Sequence, residues 1–156
     1  MKDIEKHKVY LRMCLELAQF SKCCRNKVGS MLVDRGRIIS TGVNGGPKGH
    51  INCQERFSKY VLAGELDSKE FKDLHSGWSL KNELHSEMNL LLFAAKNNVV
   101  ITEDTVLYCT HEPCDNCLKH IAGVGIKEIY YASKYYNNIT ENTFNQSINH
   151  IPIDGN

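Results

Sequence analysis

His85 and Glu87 stand two residues apart, and further along the chain Cys114 and Cys117 stand three apart behind Pro113. At that spacing the two cysteines share one side of a helix that Pro113 would open. They fall in its first turn, where the positive end of the helix dipole favours thiolate. Two thiolates and an imidazole are zinc ligands, and three protein ligands leave zinc's fourth tetrahedral position for water, the arrangement of a catalytic centre. Zinc so held brings the pKa of its water towards ~7. Glu87 lies about 200° round a helix from His85, so both serve one site only if that site lies off the helix's N-terminal end. Glu87 is then no ligand but the group that takes the attacking water's proton and hands it on. A CxxC pair alone suits equally one half of a structural zinc site, with His85 a core histidine. The acid beside the histidine favours catalysis, because a closed structural site has no use for it.

The elements that must position these residues follow from the pattern around them. Leu84 to Lys96 is apolar nearly all round and predicts a buried central helix that starts at His85 and Glu87 and ends at Asn97-Asn98. Thr105 to Cys109 reads as a strand, a helix follows Pro113 to about Gly123, and Ile126 to Ala132 reads as a further strand. That β-α-β order implies a parallel pair. Upstream, Asp3 can cap a helix running to about Phe20, and Val28 to Val33 and Arg37 to Val43 read as a hairpin turning at Asp34-Arg35-Gly36. With a last strand at Ile148 to Ile153, the expectation is an α/β domain of about five strands in a mixed sheet, covered by helices on both faces. Residues 45–82 read as a long irregular insertion with helix only around Glu55 to Ala63, of the kind that is functional or needs a staple. It carries Cys53 and His75.

The 156 residues, 42% hydrophobic and 24% charged, make a single domain spanning 1–156 with enough apolar mass for a core. A net charge of +1 provides no field of one sign to hold a nucleic-acid backbone or an anionic membrane. The first twenty residues mix charges into their apolar positions, unlike a signal peptide or a membrane span, which predicts a cytoplasmic protein (host cytoplasm if viral). In that reducing compartment seven cysteines point to metal or catalysis rather than disulfides.

Joined together, these residues form H-x-E…P-C-x-x-C, the pattern of zinc nucleobase deaminases. The chain resembles the deoxycytidylate (dCMP) deaminases, phage members most closely, and the match extends well beyond the metal motifs. It includes Ser21-Lys22-Cys23-Cys24, Lys27-Val28-Gly29, Gly36 to Gly42, Asn44-Gly45, Pro47, Lys81 to Glu87 and Leu92 to Ala95. The resemblance implies a three-layer α/β/α cytidine-deaminase fold and hydrolysis of dCMP to dUMP, which supplies thymidylate synthesis. It also implies a homohexamer activated by dCTP and inhibited by dTTP, with Mg2+ accompanying the effector nucleotide. It further implies a second, structural zinc on Cys23, Cys53, His75 and Glu83, which would staple the insertion. Alternatively Cys23 and Cys53 are small buried hydrophobes and His75 a surface residue, and Cys24 competes as a ligand. Asn44 matches the asparagine that binds the sugar hydroxyl, and in its own right Asn-Gly-Gly-Pro is strong turn chemistry. Gly42, Asn44 and Gly45 with Lys96 match the effector-nucleotide site. Here Val43 replaces the family's tyrosine, and Lys96 keeps the charge of the relatives' arginine without its fork. Glu112 stands where this family usually has serine.

The other histidines, His7, His50, His111, His120 and His150, read as surface or loop residues, and Cys14 and Cys109 as packing. Tyr135-Tyr136 suits either a base contact or a subunit interface. Competing functions are a bifunctional dCMP/dCTP deaminase, a deaminase of another cytosine or adenine substrate, and a non-catalytic zinc-stabilised nucleotide sensor.

Overall fold

The computed structural model describes residues 3–135 and 142–153. Five strands form one sheet in the order β2-β1-β3-β4-β5. They are β1 (Gly29–Asp34), β2 (Arg37–Val43), β3 (Thr105–His111), β4 (Glu128–Ser133) and β5 (Ser147–His150). β1 pairs antiparallel with β2 and β3, whereas β3, β4 and β5 run parallel, so the sheet is mixed as expected. Arg35 (φ 47°) and Gly36 (φ 80°) turn the β1–β2 hairpin, the two-residue geometry that matches strand twist.

Alternation along the strands sorts the core into two layers. Leu32, Leu107, Cys109 and Ile129 face one way and pack with Leu90 and Leu91 of α5 (Ser86–Lys96) and Leu118 and Ile121 of α6 (Asp115–Gly123). Met31, Val33 and Tyr108 face the other way and pack with Leu11 and Cys14 of α1 (Asp3–Ala18). Two glycines let the helices come this close. A Cβ on Gly29 would sit 2.2 Å from the Cys14 carbonyl oxygen of α1, and one on Gly42 would sit 2.3 Å from the Ser86 carbonyl oxygen of α5.

The insertion departs from the sequence expectation. Instead of one modest helical stretch it holds α2 (Cys53–Arg56), α3 (Ser58–Ala63) and a 14-residue α4 (Lys69–Asn82). Ser68 caps α4 by accepting from the Phe71 N–H, and Phe71 and His75, four apart, share its buried face. Gly77 and the exposed Leu74 and Leu80 blur that periodicity in the sequence. Phe57 meets the Phe71 and Trp78 rings edge-on at 5.3 and 5.5 Å, so the insertion owns a small aromatic core beside Cys23 and Cys53.

Candidate active site

Two helix N-termini converge on one point. His85 is the N-cap of α5 and Cys114 the N-cap of α6, each in extended backbone, so these two ligands sit just before the first turns, whereas Cys117 lies within the first turn of α6. The His85 Nδ1 lies 3.5 Å from the Cys114 sulfur and 3.4 Å from the Cys117 sulfur. Tetrahedral zinc with Zn–S of about 2.3 Å and Zn–N of about 2.05 Å places S and N about 3.6 Å apart, so the donor set fits that ion. The bond from Cys117 and the neighbouring His85 hold the Cys114 thiol down at about 4, and Cys117, having given up that role, is raised. Contact with Cys114 in turn raises His85.

Glu87, in the first turn of α5, is 4% exposed. Its carboxylate accepts from the Ser86 hydroxyl at 3.1 Å and the Cys109 thiol at 3.6 Å. Burial holds its pKa above the ordinary carboxylate range, which suits a group that must both take and return a proton near neutrality. Cys109, read from sequence as packing, is buried in the core and also touches the acid.

The second predicted ligand set also comes together. One donor atom from each of Cys23, Cys53, His75 and Glu83 falls within 4.8 Å of the others. His75 Nε2 is 3.6 Å from the Cys23 sulfur and 3.2 Å from a Glu83 oxygen. The other Glu83 oxygen is buried with no hydrogen-bond partner, as expected of a carboxylate arranged for a cation. The Cys53 bond lowers the Cys23 thiol and raises Cys53 itself. Cys24 stays outside this cluster: its backbone N–H donates to the Cys53 sulfur, and its side chain packs on the aromatic core.

Both clusters border one cavity of about 330 Å³. Asn44 lies on its wall with its amide held on both sides. The side-chain carbonyl accepts from Ser21 and from the Val28 N–H, and the amide nitrogen donates to the Asn26 carbonyl at 2.7 Å. Gly42 and Gly45 do not line the cavity. Gly42 seats α5, and Gly45 exchanges two backbone hydrogen bonds with Leu84. Lys96 is exposed at the far end of α5, about 15 Å from Ser86 along the helix.

Several readings need correction. His111, expected on a surface or loop, ends β3 and lines the cavity. Its signal was position, at a strand end shortly before the ligand pair. Arg25 also lines the cavity, and its guanidinium donates to Ser76 of α4 at 3.1 Å. It follows Cys24 directly in sequence, where nothing marks it as functional. Tyr135 stands on the cavity wall, and Tyr136 lies outside the described residues. His7 is no bland surface residue: its ring lies 3.8 Å from Tyr130 in a stack, and Nδ1 meets the Tyr108 hydroxyl. His150 stacks on Tyr131 and stays exposed, in keeping with its surface reading.

A family model described as the cytidine and deoxycytidylate deaminase zinc-binding region matches residues 4–133. The chain belongs to this family. Deoxycytidylate deaminase of Enterobacteria phage T4 is 38% identical, over 85% of this chain and 80% of its own. That of Mycobacterium phage D29 is 33% identical, over 78% and 90%. Among solved structures, dCMP deaminase from the cyanophage S-TIM5, in complex with dCMP and dUMP, superposes with a TM-score of 0.72. It shares 31% identity, covering 97% of this chain and 99% of that one. As a member of a zinc-binding deaminase family, this enzyme has the fold that the resemblance implied. Among the described residues no helix is long and apolar enough to cross a membrane.

Proposed function

We propose that the protein hydrolyses dCMP to dUMP and ammonia, supplying dUMP for thymidylate synthesis. The observation that carries this reading is the buried Glu87 beside the three-ligand cluster His85, Cys114 and Cys117, both open to the same cavity. Zinc held there would supply a water acidic enough to attack at neutral pH. Glu87 takes a proton from the water that adds to C4 of the cytosine ring and delivers it to ring nitrogen N3. It then takes the remaining proton from the new C4 hydroxyl and gives it to the 4-amino group, so that the C4 carbonyl forms as the C4–N bond breaks and ammonia leaves. Arg25 on the cavity wall offers a fixed positive charge to a 5′-phosphate, which favours a nucleotide over a nucleoside. Asn44 has a second amide proton beyond the one given to Asn26, available to a sugar hydroxyl.

Cys23, Cys53, His75 and Glu83 are the ligands of a second, structural zinc in this reading, supported by four converging donors and the unpartnered Glu83 oxygen. Assembly as a homohexamer in the cytoplasm, with dCTP activation and dTTP inhibition and Mg2+ on the nucleotide, completes the proposal. It rests on likeness to the phage deaminases and on the Gly42–Gly45 segment with Lys96. Deamination assayed on dCMP, dCTP, deoxycytidine and cytidine side by side tests the substrate. Turnover of dCMP no faster than that of deoxycytidine refutes it, and turnover of dCTP establishes the bifunctional alternative. A dCMP saturation curve unmoved by dCTP and dTTP refutes the regulation.

A further inference from the structure

His111 is a polar group on the cavity wall that neither ligand set nor the acid–base step employs, and its ring is held by the residue before it. The buried Thr110 hydroxyl lies 3.0 Å from His111 Nδ1 and already accepts from the Gly29 N–H at 3.2 Å. A buried hydroxyl that accepts from a backbone amide still has one proton to place, and the His111 Nδ1 is the acceptor within reach. Nδ1 therefore accepts, and the neutral ring carries its proton on Nε2. Among the described residues Nε2 has no partner. The ring sits at the carboxyl end of β3, the end of open α/β sheets at which ligands bind. Burial lowers its pKa, so it stays uncharged at neutral pH.

We infer that His111 is a substrate-contacting residue that presents a fixed, uncharged Nε2–H donor to an acceptor oxygen of the bound nucleotide. This rests on the dCMP reading above. Its chemistry is that of a directional donor: an imidazole locked through its other nitrogen cannot rotate away and gives no net charge to a cavity that already has Arg25. The oxygen it meets belongs either to the base and sugar or to the phosphate, and two substrates separate these.

His111→Phe keeps ring bulk without the donor, whereas His111→Gln offers an N–H from a long flexible chain. Loss of a neutral hydrogen bond predicts that kcat/KM for dCMP falls about tenfold in His111→Phe and recovers to within about threefold in His111→Gln. Zinc content should be unchanged, while Tm should fall by a few degrees in His111→Phe, which leaves the buried Thr110 hydroxyl without its acceptor. An equal loss on deoxycytidine places the acceptor on base or sugar, and a loss confined to dCMP places it on the phosphate. Retention of kcat/KM within about twofold in His111→Phe, or a fall in His111→Gln as deep as in His111→Phe, overturns the inference while dCMP turnover by the wild type preserves the reading beneath it. Absence of wild-type dCMP turnover overturns both. Should a variant fail to fold, 15N NMR of the wild-type imidazole decides, with protonated Nε2 and bare Nδ1 expected. The reverse tautomer, or an imidazolium at neutral pH, overturns the inference.

Discussion

Gly42 separates two accounts of one residue, because it sits in the segment likened to an effector-nucleotide site and yet packs under the catalytic helix. Its replacement by alanine would put a methyl 2.3 Å from the Ser86 carbonyl oxygen and 2.8 Å from the Leu90 nitrogen. Both are backbone atoms of α5, so no side-chain rotation relieves the overlap. Ordinary contact begins at 3.4 Å, and β2 and α5 must separate until it is reached. That means a shift of about 1 Å in the residue between His85 and Glu87, an error of the size that costs on the order of 10²-fold in rate. Overpacking of this kind costs about 1–3 kcal/mol, equivalent to roughly 2–12 °C in Tm for a domain of this length. The assay is deamination of dCMP without effectors, alongside thermal unfolding. Gly42→Ala should lose both basal activity and stability. A variant with wild-type Tm and basal rate that had lost only its response to dCTP or dTTP would refute the packing account and assign Gly42 to the nucleotide.

Glu87→Gln should retain zinc and lose deamination by about 10²–10⁴-fold, the usual share of a general acid–base group, and an active variant would sink the mechanism. Metal analysis should find two zincs per wild-type chain and one in His75→Ala; the ligands left behind are buried, so the loss should exceed about 3 kcal/mol of stability. Two zincs persisting in His75→Ala would remove the structural site. Asp34 accepts from the Thr102, Arg35 and Thr105 side chains, which hold it down at about 2. Its folded pKa lies below its unfolded value near ~3.9, so its contribution is present above pH ~4 and lost as pH falls towards 2. The Tm gap between wild type and Asp34→Asn should narrow across that window, and a gap independent of pH would contradict the assignment.

What could be read from the sequence was what local chemistry dictates. The hairpin at Arg35-Gly36, the buried α5 and the H-x-E and CxxC ligands each carry their signal within a few residues, and the sheet places them as expected. Element ends moved by one to three residues: His85, read as helical, is the N-cap, and the last strand, expected to reach Ile153, ends at His150. The insertion was opaque for a different reason. α4 buries one narrow face against its own aromatic cluster, and its exposed Leu74 and Leu80 carry the same apolar weight in sequence as Phe71. Arg25 was invisible because a cavity wall is assembled from segments far apart in the chain, whereas His111 carried only its closeness to the ligand cysteines.

Residues 83 to 85 tie these parts together. Glu83 ends α4 in extended backbone, Leu84 is pinned to Gly45 by hydrogen bonds of 2.8 and 3.0 Å, and His85 opens α5. Glu83, Leu84 and His85 all border one cavity, while Glu83 and His85 belong to different ligand sets. A cation on Cys23, Cys53, His75 and Glu83 would fix the position of Glu83 and, through the pinned Leu84, the backbone from which His85 reaches its own partners. In a small domain with a long insertion, such a staple does more than hold the insertion down. It would remove slack at the step between α4 and α5, where looseness of about 1 Å would act on the reacting centre itself. The insertion and the catalytic helix are in this sense one device, joined at Leu84.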